Sequence, residues 1–198
     1  GLGHELATSV IRDENIPEAL AMAAEQSGAR AIVLGYPMGG SHQEMVRVVE
    51  RVAAGVSCSV VIVKFVGVMH TERILVPIVS SSELRVIKDL LSALAGVGRH
   101  RITLLKLMPS YMDEEGVTAA ENKLLDWSFG SGLRPYVFCR AIATEARLET
   151  VIGEAGQHDL LIMAANQAQG IQRLFFGSLA ADVADKCDKP LIIVHQPK

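Results

Sequence analysis

The sequence predicts a doubly wound parallel α/β fold. Two observations carry the prediction. Asp159-Leu160-Leu161-Ile162-Met163-Ala164 and Pro190-Leu191-Ile192-Ile193-Val194 are continuous apolar runs of strand length, as expected of parallel strands covered on both faces. Between them lies a polar loop, then Gly177-Ser178 and a helical pattern, the crossover that a parallel pair requires. A third observation sets the organisation, because the same strand, loop, helix and strand recur near the start of the chain.

The recurrence is specific. Gly28-Ala29-Arg30-Ala31-Ile32-Val33-Leu34-Gly35 matches Gln157-His158-Asp159-Leu160-Leu161-Ile162-Met163-Ala164 at an offset of 129 residues. Ser59-Val60-Val61-Ile62-Val63 matches Pro190-Leu191-Ile192-Ile193-Val194 at an offset of 131, so the first loop-helix segment is two residues shorter. The helix opened by Ile16-Pro17-Glu18, with proline at a first-turn position, matches Glu145-Ala146-Arg147.

Taken in order, the first copy opens with a strand around Glu5 to Ile11. It continues through a helix from Pro17 to Gln26, a strand from Ala31 to Leu34, a helix of Met45, Val48, Val49, Val52 and Val56, and a strand from Cys58 to Phe65. The second copy has more. Arg73 to Val79 reads as a buried strand, and Leu84, Ile87, Leu91 and Leu94 recur at helical spacing up to Gly96 and Gly98. A strand follows from Ile102 to Leu107. Val117, Ala120, Leu124 and Trp127 mark one face of a helix closed by Gly130 and Gly132. A strand from Tyr136 to Ala143 and a helix of Leu148, Val151, Ile152 and Ala155 lead back to the opening βαβ unit. The expected division is 1–68, the C-terminal half of a domain, and 69–198, a complete five-stranded domain. Three strands cannot complete such a sheet alone. The expectation is therefore either preceding chain before Gly1, or a half that leans on its neighbour or on another chain.

Composition narrows the function. The chain of 198 residues has a formal net charge of -3, a pI near 6.1 and scattered basic residues, which argues against a nucleic-acid surface. Its apolar runs are too short to cross a bilayer. Cys58, Cys139 and Cys187 form neither a C-x-x-C pair nor a disulfide framework, so a reducing, cytoplasmic setting is expected.

No catalytic constellation emerges. G-x-S-x-G is absent, and Cys187 shares an apolar face with Leu179 and Val183, the pattern of a core thiol. His4, His42, His70, His100, His158 and His195 lack ligand spacing and read as solvated or loop residues. Asp113-Glu114-Glu115 reads as an acidic first turn, and Ser80 with Glu83 as a capping box. No metal site is expected. Gly177-Ser178 could seat a phosphate on free amides at a helix start, or Ser178 could only cap the helix. Arg173 could add a cation there, while Phe175 and Phe176 read as packing residues.

The second copy, over its whole length, resembles the universal stress protein family, and the first resembles the back half of a member. The resemblance implies a Rossmann-like five-stranded sheet. It also implies contact, as a homo-oligomer or pseudo-dimer, through the last strands, residues 58–65 and 190–196. Nucleotide-binding members carry G-x-x-G, nine residues and then G-[ST], with an aspartate after the first strand. Here Gly177 and Ser178 match the final pair, but the earlier glycines fall on Ala164 and Gln167 and the aspartate on Val79. The first copy has Gly35, then Met38, Gly39 and Gly40, with Val46 and Arg47 at the final pair. Both copies thus resemble members that do not bind ATP. The implied function is a non-catalytic regulatory or interaction module without cofactor, the cytoplasmic part of a larger protein such as a membrane transporter. The alternative is an ATP or AMP sensor using Gly177, Ser178 and main-chain contacts from Ala164.

Overall fold

The computed structural model describes residues 8, 10–36, 42–97, 100–133, 137–165 and 177–196. Seven strands form one sheet. In chain order the elements are α1 (Ile16–Gln26), β1 (Ala31–Gly35), α2 (His42–Gly55), β2 (Ser59–Lys64), β3 (Arg73–Ile78), α3 (Ser81–Val97), β4 (Arg101–Met108), α4 (Glu114–Gly130), β5 (Val137–Ala143), α5 (Arg147–Ala155), β6 (Leu160–Ala164), α6 (Gly177–Lys186) and β7 (Leu191–His195). The order across the sheet is β1-β2-β7-β6-β3-β4-β5. Every neighbouring pair is parallel except β2 and β7, which run antiparallel with Val60 opposite His195 and Lys64 opposite Leu191. The strands expected to meet, β2 and β7, do so.

The continuous apolar strands are explained by two cores, one on each face. Val60, Ile62, Leu75, Leu161, Met163, Leu191 and Ile193 pack with Val49 and Val52 of α2, Val151 of α5 and Val183 of α6. On the other face Ile74, Val76, Leu104, Leu160 and Ile162 pack with Ile87 and Leu91 of α3 and Leu124 of α4. Each fully buried Leu or Ile contributes about 1.5–3 kcal/mol relative to exposure. The core on the first face runs unbroken from α2 to α5 beneath the antiparallel seam. Cys187 lies in it, as its spacing suggested.

Helix boundaries follow local chemistry. Asp113 accepts a hydrogen bond from the Gly116 amide at 2.9 Å, with Glu114 and Glu115 in the first turn of α4. At the other end Gly132 takes φ +69°, which lets the Leu133 amide donate back to the Ser128 carbonyl. The α3 helix runs through Gly96 and ends at Val97, directly before Gly98, as the sequence predicted.

Two expectations are corrected. The opening strand is one: Thr8, Val10 and Ile11 are not in a strand, and all three are exposed; the rest of that segment up to Ser9 lies outside the described residues. The sheet order gives the reason. In the second copy the third strand, β5, pairs only with β4, and the first copy has no counterpart of β4 among the described residues. The histidines are the other. His195 is 3% exposed on β7 and His158 is buried beside β4. The His158 Nδ1 lies 2.8 Å from the Glu154 carbonyl and must donate to it, leaving Nε2, 3.0 Å from Thr103 Oγ1, to accept.

The seam is pinned by Lys64. Its side chain is buried, and Nζ donates to the carbonyls of Ala184 and Cys187, at 2.7 and 2.6 Å, satisfying the C-terminal end of α6. From the end of β1, the Tyr36 hydroxyl donates to Asp185 Oδ1 at 2.6 Å. Burial first, then the hydrogen bond and charge of Asp185, push the Tyr36 phenol well above its usual range. The ends of β1 and β2 thus grip α6.

Replacing Lys64 by Met keeps the buried stem but removes the donor from two carbonyls, at a cost of about 2 kcal/mol. Urea unfolding is expected to show a lower midpoint with an unchanged slope. A pH dependence is also expected. Burial lowers the His195 pKa from its ordinary 6.5, so the unfolded chain takes up the proton first. The stability contributed by the neutral ring is full above that value and declines as pH falls through the window below it. His195→Gln is expected to flatten the decline in thermal midpoint between about pH 5 and 7.

Candidate functional site

In an open α/β sheet, ligands enter the crevice beyond the carboxyl ends of the strands where successive connections diverge. Here that point lies between β3, whose connection leads to β4, and β6, whose connection leads to β7. Val79 and Ser80 follow β3, and Ala165 follows β6. The segment of residues 166–176 lies between β6 and α6 in the sequence. It contains Gln167, Arg173, Phe175 and Phe176 and lies outside the described residues. The α6 helix begins at Gly177, so Gly177 and Ser178 stand at its N-terminal end, as expected; their side-chain surroundings also lie outside the described set. Ala164 closes β6, 7% exposed and packed in the core with Ile162 and Val194.

The protein's own side chains engage this rim. The Val79 amide donates to Glu83 Oε2 at 2.7 Å, and the Val79 carbonyl accepts from Lys106 Nζ at 2.6 Å. Both polar groups of that peptide position are therefore taken. Glu83 is buried, held at the first turn of α3, while its own amide donates to the Ser80 carbonyl at 3.1 Å. Ser80 Oγ accepts from the Ser82 amide at 3.3 Å and lies 2.9 Å from Ser82 Oγ. The expected capping at Ser80 and Glu83 is thus present in shifted form: the glutamate reaches one residue further back, to Val79. Lys106 is half-buried. Burial pulls its ammonium below the ordinary 10.5, Glu83 opposes that pull and Arg147 adds to it.

Sequence reasoning missed Lys106 and Lys64. The available signal was the same in each case: a single lysine in an otherwise apolar strand, in Leu104-Leu105-Lys106-Leu107 and in Val61-Ile62-Val63-Lys64. A lysine there must find carbonyls or reach water.

Away from the crevice, at the opposite ends of the strands, Arg73 and Asp159 form a two-pronged pair. Their shortest contact is 2.7 Å, and the Arg73 amide also donates to Asp159 Oδ2 at 3.0 Å. The hydrogen bonds from Arg73 hold the Asp159 carboxyl below its usual range. This pair aligns the starts of β3 and β6. Among the described residues, no three His, Cys, Asp or Glu side chains cluster as metal ligands would, and no helix is long and apolar enough to cross a membrane.

Residues 142–195, from the end of β5 to the end of β7, match the model of the Universal stress protein family. Over that stretch the chain is similar to this family. The matched stretch contains the β6 strand, the loop, α6 and β7, the unit with the strongest pattern in the sequence. Among solved structures the chain is similar to a universal stress protein from Archaeoglobus fulgidus DSM 4304, with 13% identity and a TM-score of 0.64. That similarity covers 92% of this chain and 66% of that one, so the chain spans just under two thirds of that relative's length. A universal stress protein solved in complex with cAMP is 19% identical, with 64% of this chain and 98% of that chain covered at a TM-score of 0.50. Universal stress protein UspA from Lactobacillus plantarum is 17% identical, covering 65% and 99%, again at 0.50. These likenesses establish the fold. No curated protein sequence matches the chain.

Glu83→Ala is expected to cost about 1–2 kcal/mol, because it strands the Val79 amide and removes a cap from α3. Hydrogen exchange is expected to accelerate at Val79 and the first turn of α3 while the seam amides stay protected.

Proposed function

We propose that this chain is a non-catalytic regulatory and interaction module of the universal stress protein type. In this reading residues 1–68 are the C-terminal half of one domain and residues 69–198 are a complete second domain. The module acts by association, through seams like that of residues 58–65 with 190–196, as a homo-oligomer or as the cytoplasmic part of a larger protein such as a membrane transporter. The observation that carries the reading is the engagement of Val79. The position expected to present a carboxylate to a nucleoside is a valine, and its amide and carbonyl are held by Glu83 and Lys106. Ala164 adds a β-carbon where a glycine would let backbone approach a phosphate.

A second reading, an ATP or AMP sensor, has one specific point in its favour: α6 opens at Gly177-Ser178, and a structurally similar protein was solved with cAMP. Gly177, Ser178 and the main chain at Ala164 would then receive the phosphates.

Calorimetric titration with ATP and with AMP separates the two. The expected result is no saturable heat up to about 1 mM nucleotide. Micromolar binding that Ser178→Ala weakens at least tenfold would replace the association reading by the sensor reading.

A further inference from the structure

The two copies differ most in what covers them. Val33 on β1 is 66% exposed, whereas Ile162, 129 residues on, is fully buried in the core that includes Ile87 and Leu91 of α3. Met22 on α1 is 57% exposed, whereas its counterpart Val151 is fully buried in the core that includes Leu75 of β3. One bared position lies on each side of the sheet. In the second copy, both are covered by a single unit, β3 followed by α3.

The edge gives the same answer. No described strand pairs with the outer side of β1. The Tyr36 amide donates to Val63, and the Ser59 amide donates to the Arg30 carbonyl, so even-numbered positions of this stretch face β2. By alternation Ala31, Val33 and Gly35 direct their backbone polar groups outward. In the second copy the amides of Leu161 and Ala165 donate to β7 and its flank, so Leu160, Ile162 and Ala164, the counterparts of those three, face β3. The bare edge of β1 thus matches, residue for residue, the edge that β3 occupies.

Among the described residues the edge strand itself also lacks the usual protection. The Ala31 to Gly35 strand carries no charge, proline or bulge. The opposite edge, β5, is guarded: Glu121 Oε1 accepts from the Ala141 amide at 2.8 Å, Arg140 pairs with Glu154 at 2.6 Å, and the Arg101 guanidinium lies 5.2 Å from the centre of the Phe138 ring.

We infer that β1 is a docking edge for a parallel β-strand followed by an amphipathic helix, of the same make as Arg73–Val97. The strand adds to Ala31, Val33 and Gly35 and covers Met22 on one face, while the helix covers Val33 on the other. A twofold copy of this chain fits less well. Pairing β1 antiparallel with itself would place no helix over Val33. The inference names a surface for the association reading above and rests on that reading. The two fail separately: nucleotide binding is read at the crevice, whereas docking is read by amide exchange at Ala31, Val33 and Gly35.

The test uses the 198-residue chain and a synthetic peptide of residues 72–97 as the probe. Saturable slowing of amide exchange, at least tenfold, is expected at Ala31, Val33 and Gly35. Val33→Pro should abolish it, since proline at an outward-facing edge position blocks pairing and leaves the inner ladder intact. Unchanged protection along β2 and β7 in that variant shows that it is folded. No slowing at millimolar peptide overturns the inference. So does rapid disulfide cross-linking of a Val33→Cys chain to itself, which would make a second copy the occupant.

Discussion

The antiparallel seam between β2 and β7 is the constraint on which the rest of the molecule depends. The two strands β1 and β2 cannot form a stable sheet alone. Joined to β7 they inherit a five-stranded neighbour and a core that already runs beneath the junction. The seam also fixes the direction of everything beyond it, because antiparallel pairing turns β1 and β2 end for end relative to β3 through β7. Lys64 and Tyr36 then tie the seam to α6, so strand pairing, helix placement and the two polar clamps are mutually dependent.

That dependence reaches the crevice. The α6 helix is held at its C-terminal end by Lys64 and begins at the Gly177-Ser178 pair. Its position is therefore set partly by residues more than a hundred positions earlier in the chain. On the other side of the crevice, Glu83 and Lys106 fix the Val79 peptide. The rim resembles a ligand site in topology, while its polar capacity at Val79 is spent within the protein.

Most of the architecture was legible in the sequence, because parallel strands buried on both faces leave continuous apolar runs. Strands such as Leu160–Ala164 and Leu191–His195 lie within a residue of their predicted bounds. The opening strand failed because its apolar residues suit a strand locally, while a strand exists only where a neighbour accepts its hydrogen bonds. His195 failed for a similar reason: its burial comes from pairing with β2, a contact distant in sequence. At the candidate site, the positions of Ala164, Val79 and Gly177 could be read from spacing. Lys106 could not, since one strand does not disclose which carbonyl will lie within reach of its lysine.

The guarded edge of β5 sets a limit on assembly. With Glu121 occupying the amide of Ala141, an outward-facing backbone donor of the β5 edge is satisfied within the chain. A molecule with two open edges could seed a filament. Here one edge is already engaged by the protein's own side chains, which makes β5 a poor template for strand addition.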